Sequence, residues 1–158
     1  MIVEKLVVGF LKTNCYIVYS PDNRGCAVID PGGESRRICA DLEKRGLTPD
    51  VILLTHAHAD HVRGLWHLYE KTGACVYVHA GELDARINIG PFRFVPPPKT
   101  QYVCEGSTIC AGSLRFSVLE CPGHTPGSVV YRCEDTLFTG DTLLHMGSGR
   151  VDYPCSSR

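Results

Sequence analysis

Apolar positions at the start of the chain recur with the two-residue period of extended backbone. Val3 to Gly9 and Asn14 to Ser20 alternate like strands of a meander, and Pro21-Asp22-Asn23-Arg24-Gly25 carries turn chemistry between them and the next element. Cys26 to Asp30 reads as a short buried strand. The period then changes. Glu34 to Arg45 reads as a helix with Ile38 and Leu42 on its apolar face, closed by Gly46. Val51 to Thr55 is a second buried strand, and His61 to Lys71 reads as one helix with Leu65, Leu68 and Tyr69 inward, ended by Gly73. A strand at Cys75 to His79 and a short helix at Ala80 to Arg86 follow. Asn88 to Thr100, with Pro91, Pro96, Pro97 and Pro98, is a loop. Strands are expected at Gln101 to Cys104, Ser107 to Cys110 and Ser113 to Cys121, and after Ser128 and Thr136. Mixed strands and helices of this kind place the chain in the α+β (mixed α/β) class. No linker, low-complexity tract or repeat divides it, and 158 residues suffice for one domain with a real core.

The chemistry sits where strands end. Thr55-His56-Ala57-His58-Ala59-Asp60-His61 follows the apolar run Val51-Ile52-Leu53-Leu54 and puts four candidate metal ligands within six residues. In extended backbone, side chains at i, i+2 and i+4 share a face. His56, His58 and Asp60 therefore point one way and His61 another, which suits two adjacent ions: His56 and His58 for one, Asp60 and His61 for the other. Imidazole and carboxylate donors suit zinc, iron or manganese. A helical zinc-protease pair is a poor comparison, because that motif needs two histidines four apart with Glu between them. Downstream, His124 sits in the constrained turn Pro122-Gly123-His124-Thr125-Pro126-Gly127. Thr136-Leu137-Phe138-Thr139-Gly140-Asp141 repeats the grammar of an apolar strand, a glycine and a ligand. Gly-Asp alone is a common turn; after two earlier strand-end ligand loops, Asp141 becomes a candidate metal bridge.

These residues resemble the metallo-β-lactamase superfamily, and within it the short glyoxalase II-like hydrolases. The likeness rests on His56-x-His58-x-Asp60-His61, Gly123-His124-Thr125-Pro126-Gly127 and Thr139-Gly140-Asp141-Thr142. Thr13-Asn14-Cys15-Tyr16 and Asp30-Pro31-Gly32-Gly33 support it. The resemblance implies an αββα sandwich over residues 1–158 and up to two zinc ions, with iron or manganese as other candidates. His56, His58, His124 and Asp141 would hold the first ion, and Asp60, His61 and Asp141 the second. Asp60 would be catalytic beside a metal-bound hydroxide. The family's dinuclear members carry a last histidine in a further Pro-Gly-His type turn, and this chain stops at Arg158 without one. The resemblance therefore implies a domain truncated at its C-terminus, a weakened second metal position, and apolar surface through which the chain self-associates.

For substrate, the resemblance implies a small thioester such as S-lactoylglutathione, since a thiolate leaves without strong general-acid help. Arg150 matches a basic substrate-binding position, with Tyr153 and His145 as further candidates. An ion pair of Arg150 with Asp152 or Asp141 is the structural alternative. A mononuclear iron persulfide dioxygenase using His56, His124 and Asp141 stays open, as does a catalytically impaired metal-binding domain.

Composition narrows the partners. The formal net charge is −1 and no Lys/Arg-rich stripe is visible, which argues against nucleic acid. No stretch is long and apolar enough to span a membrane. Nine cysteines, without a Cys-x-x-Cys pair, behind an N-terminus bearing Glu4 and Lys5, read as free thiols in a reducing cytoplasm. Cys121, three residues before His124, is expected in the core rather than on a metal.

Overall fold

The computed structural model describes residues 1–84, 93–152 and 155–156. Strands β1 (Ile2–Val8), β2 (Thr13–Tyr19), β3 (Gly25–Ile29), β4 (Thr48–Leu53), β5 (Cys75–His79) and β6 (Thr100–Val103) lie in chain order in a six-stranded sheet. The β1–β2 and β2–β3 pairs are antiparallel, and β3 to β6 run parallel. Strands β7 (Thr108–Ala111), β8 (Leu114–Glu120), β9 (Val129–Cys133) and β10 (Thr136–Phe138) form an antiparallel four-stranded sheet in the order β10-β9-β8-β7.

Parallel pairing needs crossovers. Helix α1 (Ser35–Arg45) connects β3 to β4, and α2 (Ala59–Val62) with α3 (Leu65–Thr72) connects β4 to β5. Ile38 and Leu42 of α1 and Leu65 and Leu68 of α3 bury against Val28, Ile52, Leu54 and Val76 of the six-stranded sheet. The alternate residues Ala27, Ile29, Val51 and Leu53 face the other way, onto Phe116, Val118, Val129 and Tyr131 of the second sheet. β3 and β4 are thus covered on both faces, which is why their sequences read as unbroken apolar runs. The expected mixed α/β sandwich is present, with α1 and α3 layered on the six-stranded sheet. No helix among the described residues is long and apolar enough to cross a membrane.

Two differences from the sequence reading have local causes. The single helix expected over His61 to Lys71 is two helices. The N–H of Gly64 bonds to the Pro31 carbonyl at 2.8 Å, and a Cβ on Gly64 would lie 2.7 Å from that oxygen. The chain breaks its helix there to pack against the 31–33 loop. Strand β4 begins at Thr48 rather than Val51, because Gly25 to Ala27 of β3 pair with Thr48 to Val51 across an irregular register. The short helix expected at Ala80 to Arg86 is a 3₁₀ turn over Ala80–Leu83 as far as the described residues run. Thr100 belongs to β6, and the rest of the expected 88–100 loop begins outside the described residues.

β3 and β4 are parallel, so they deliver Asp30 and the Thr55–His58 segment to the same edge of the sheet. The bond from Val129 N–H to the Thr55 carbonyl, at 2.9 Å, ties the second sheet to that edge.

Candidate metal centre

His56 lies at the bottom of this edge, fully enclosed. Its Nδ1 meets the Thr55 hydroxyl at 3.2 Å. Its Nε2 is buried without a hydrogen-bond partner among the described residues. A buried polar nitrogen left so is costly unless something coordinates it. His58, half-buried, brings Nδ1 to 2.9 Å from Nε2 of His124. The other nitrogen of His124 donates to the Arg150 carbonyl at 2.7 Å, which fixes the tautomer and turns the Nε2 lone pair into the cluster. Ligand atoms of His56, His58 and His124 all lie within 4.8 Å of one another, and so do those of His56, His61 and Asp141. With metal–nitrogen distances of about 2.0–2.1 Å, small side-chain adjustments close either set on one ion.

His61 and Asp141, joined by Asp60 where the shared His56 serves the first set, form the second set and are held differently. His61 Nδ1 donates to Asp30 Oδ2 at 3.0 Å. His61 Nε2 lies 3.3 Å from Asp141 Oδ1 and 3.5 Å from Asp60 Oδ2. Asp141 presents its other oxygen to His124 Nε2 at 3.5 Å, so this carboxylate faces both sets. Asp60 Oδ2 accepts from the Thr13 hydroxyl at 3.0 Å. Asp30, in left-handed backbone at φ 49°, also accepts from the Thr55 N–H and hydroxyl at 2.8 and 2.7 Å. A cleft of about 470 Å³ opens beside Asp60, His61 and Asp141, walled by Tyr16, Phe138, Leu143 and Leu144.

Residues 8–157 match the profile of the metallo-beta-lactamase superfamily. The chain belongs to that superfamily. It is 37% identical to the probable metallo-hydrolase YqgX of Bacillus subtilis, over 94% of this chain and 74% of that protein. It is 31% identical to the hydroxyacylglutathione hydrolase GloC of Haemophilus influenzae, over 98% of this chain and 77% of that one. Among solved structures, the BLEG-1 B3 metallo-beta-lactamase superposes with a TM-score of 0.85 at 32% identity, covering 99% of this chain and 79% of its own. ETHE1 from Myxococcus xanthus gives 0.84 at 30%, covering 99% and 64%. TTHA1623 in a di-iron-bound form gives 0.83 at 31%, covering 98% and 80%.

Set beside this metallo-beta-lactamase frame, the residues expected from sequence divide clearly. His56, His58, His124, His61, Asp60 and Asp141 converge. The extended-chain argument for their facing holds only for His56 and His58. Helix α2 begins at Ala59, so Asp60 is already helical and turns away to join His61. His145 lines the cleft, at an exposed position. The Arg150 guanidinium is exposed and forms a two-pronged pair with Asp152 at 2.9 and 2.6 Å. Tyr153 lies outside the described residues. Cys121 is half-buried at the mouth of the 121–128 loop rather than in the core, with its N–H on the Ser128 carbonyl at 2.9 Å. All nine cysteines are free thiols.

Burial pushes the His56 pKa well below the ordinary imidazole value, and the neighbouring histidines add to this. Burial and His124 bring His58 down to about 4. Burial also disfavours a charged His61, but Asp30, Asp141 and Asp60 together outweigh it and raise its pKa to about 10. The hydrogen bond from His61 holds the Asp141 carboxyl below the usual range, against the opposing effect of burial.

Three supporting contacts lay beyond sequence reasoning. The Asp-Pro-Gly-Gly motif drew attention to Asp30 as a family mark, without showing that it grips His61. Thr13 was visible only as part of a hairpin motif. Gly149 was visible only as the neighbour of Arg150. Its N–H bonds to the Asp141 carbonyl at 2.6 Å, and a Cβ there would lie 2.8 Å from His124 Nδ1. The 149–150 segment therefore clasps two candidate ligands from behind.

Proposed function

We propose that this chain is a metal-dependent hydrolase of small thioesters, with S-acyl-glutathiones such as S-lactoylglutathione as the substrate class, built as one metallo-β-lactamase-like domain. The observation that carries this reading is the buried, partnerless His56 Nε2 at the centre of converging imidazoles, beside a second histidine–carboxylate set that borders an open cleft. Similarity to a hydroxyacylglutathione hydrolase supports the substrate class. In this reading His56, His58 and His124 hold one ion and Asp60, His61 and Asp141 the other, zinc being favoured. A bound metal lowers the pKa of a coordinated water toward ~7 and so supplies a hydroxide nucleophile at neutral pH.

The chain's own residues do the rest. Asp60, fixed through Oδ2 by Thr13, would hold the attacking hydroxide in line. Asp141 faces both histidine sets and keeps them in register. Tyr16, Leu143 and Leu144 wall the substrate from bulk water on the cleft side. A thiolate leaving group needs no positioned acid.

A second reading, an iron persulfide dioxygenase, is supported by the nearness of two histidines and one carboxylate, His56, His124 and Asp141. Metal analysis of the purified chain with an S-lactoylglutathione assay separates them. Hydrolysis that a chelator abolishes is expected. Bound iron with oxygen uptake on glutathione persulfide, and no thioester turnover, overturns the hydrolase reading.

A further inference from the structure

Glu82 sits in the 3₁₀ turn after β5, is wholly buried, and takes no part in the chemistry above. Burying a carboxyl is expensive unless donors satisfy it. Here Oε2 accepts from the Ala57 N–H at 2.6 Å. Oε1 accepts from the Thr125 hydroxyl at 2.6 Å and the Gly127 N–H at 3.0 Å. Ala57 lies between His56 and His58, and Thr125 follows His124. One carboxyl group therefore grips, with its two oxygens, the two loops that carry the three imidazoles. The approach is close enough to demand glycine. A Cβ on Gly127 would lie 2.7 Å from Glu82 Oε1, and one on Gly81 would lie 3.0 Å from the Gly127 backbone. Ser128 completes the grip, its hydroxyl 2.7 Å from that of Thr125 and 3.1 Å from the Thr125 N–H.

We propose that Glu82 is a positioning residue for the three-imidazole metal position, setting the separation of the His56–His58 loop from the His124 loop and hence the affinity and geometry of the ion they hold. The proposal rests on the metal reading above. A bond to a loop backbone acts one step behind the ligands, where lost orientation typically costs 10–100-fold in metal affinity. In Glu82→Gln one oxygen becomes an NH₂ group. Either Ala57 or the Thr125–Gly127 pair then loses its acceptor, while the side-chain volume is kept. Thr125→Val removes a single donor at nearly constant shape.

The test uses cobalt(II) as the probe on the parent, Glu82→Gln and Thr125→Val. Affinity is measured by chelator competition, coordination by the visible spectrum, and metal-free folding by thermal unfolding. Expected is a loss of about 10–100-fold in first-ion affinity for Glu82→Gln with altered cobalt bands, and a smaller loss in the same direction for Thr125→Val. Folded variants that bind cobalt with the parent's affinity and spectrum, whatever their melting temperature, overturn the proposal, because a purely structural role would lower stability alone. If Glu82→Gln does not fold, Thr125→Val decides. A parent that binds no cobalt overturns the metal reading itself, and this assignment with it.

Discussion

Burial pushes the pKa of His56 well down and that of His58 to about 4, whereas Asp30, Asp141 and Asp60 outweigh burial at His61 and raise its pKa to about 10. The first set contains no carboxylate and leaves His56 Nε2 buried without a hydrogen-bond partner among the described residues. The second is internally compensated, its histidine already paired on both ring nitrogens. Adding a dication to the first set removes a cost. Adding one to the second means rearranging the contacts of His61 with Asp30, Asp60 and Asp141. The same residue types thus make a prepared site and a competing one, and the difference lies in which neighbours each histidine faces rather than in the histidines themselves.

The comparison breaks most decisively if the first set is not the tighter site. His56→Ala and His124→Ala should each remove most of the tightly bound metal, a loss beyond the roughly 10–100-fold typical of outer-shell changes, and abolish turnover with it. Metal content per folded chain measures this. Full stoichiometric metal in either variant shows the ligand assignment to be wrong.

Asp60→Ala addresses the second set as chemistry rather than as a binding site. Because Asp60 is half-buried, with a bond from Thr13 and a long 3.5 Å contact to His61, its loss should shift the melting temperature little. Turnover should fall by at least about 10-fold, since Asp60 both helps hold the second ion and aims the nucleophile. A variant as active as the parent removes Asp60 from the mechanism.

Asp30→Asn sharpens the contrast between the sets. Asp30 orients His61 directly and reaches His56 only through the Thr55 hydroxyl. Metal titration should show the weaker binding step reduced by about 10–100-fold while the tighter step, touched only through Thr55, falls by less. Equal loss in both steps would mean that the two sets are one coupled site.

The same contrast explains what could be read from the chain alone. His56, His58, His124 and Asp141 were legible because each ends an apolar strand and is released by turn residues, so local pattern and chemistry coincide. The mixed strand-and-helix pattern was legible for the same reason, since runs such as Val51-Ile52-Leu53-Leu54 carry their burial in their composition, whereas the two-sheet sandwich came only with the family resemblance. The groups that prepare the site were not legible. Asp30 reaches His61 across 31 residues and Glu82 reaches Thr125 across 43, and neither spacing leaves a periodic trace. The break at Gly64 was hidden likewise, since its cause is the Pro31 carbonyl rather than anything in the apolar spacing of Leu65 and Leu68. The facing of Asp60 was misread because the extended-chain rule ends where α2 starts.

The smallest effect is expected at Arg150, where side chain and backbone play separate parts. Its guanidinium is exposed and engaged with Asp152, an arrangement that solvent screens heavily. Its carbonyl is the atom that holds His124 in the tautomer the first set needs. Arg150→Ala keeps that carbonyl, so metal content should stay at the parent's level and kcat/KM for a thioester should change by less than about tenfold, the factor that 1.4 kcal/mol would produce. Gly149→Ala touches no charge, yet its new Cβ would lie 2.4 Å from the Asp141 carbonyl and 2.8 Å from His124 Nδ1. Of the pair it should therefore lose more metal. If Arg150→Ala instead raises KM more than tenfold with metal retained, the guanidinium binds substrate, and the pair with Asp152 is only where it rests between turnovers.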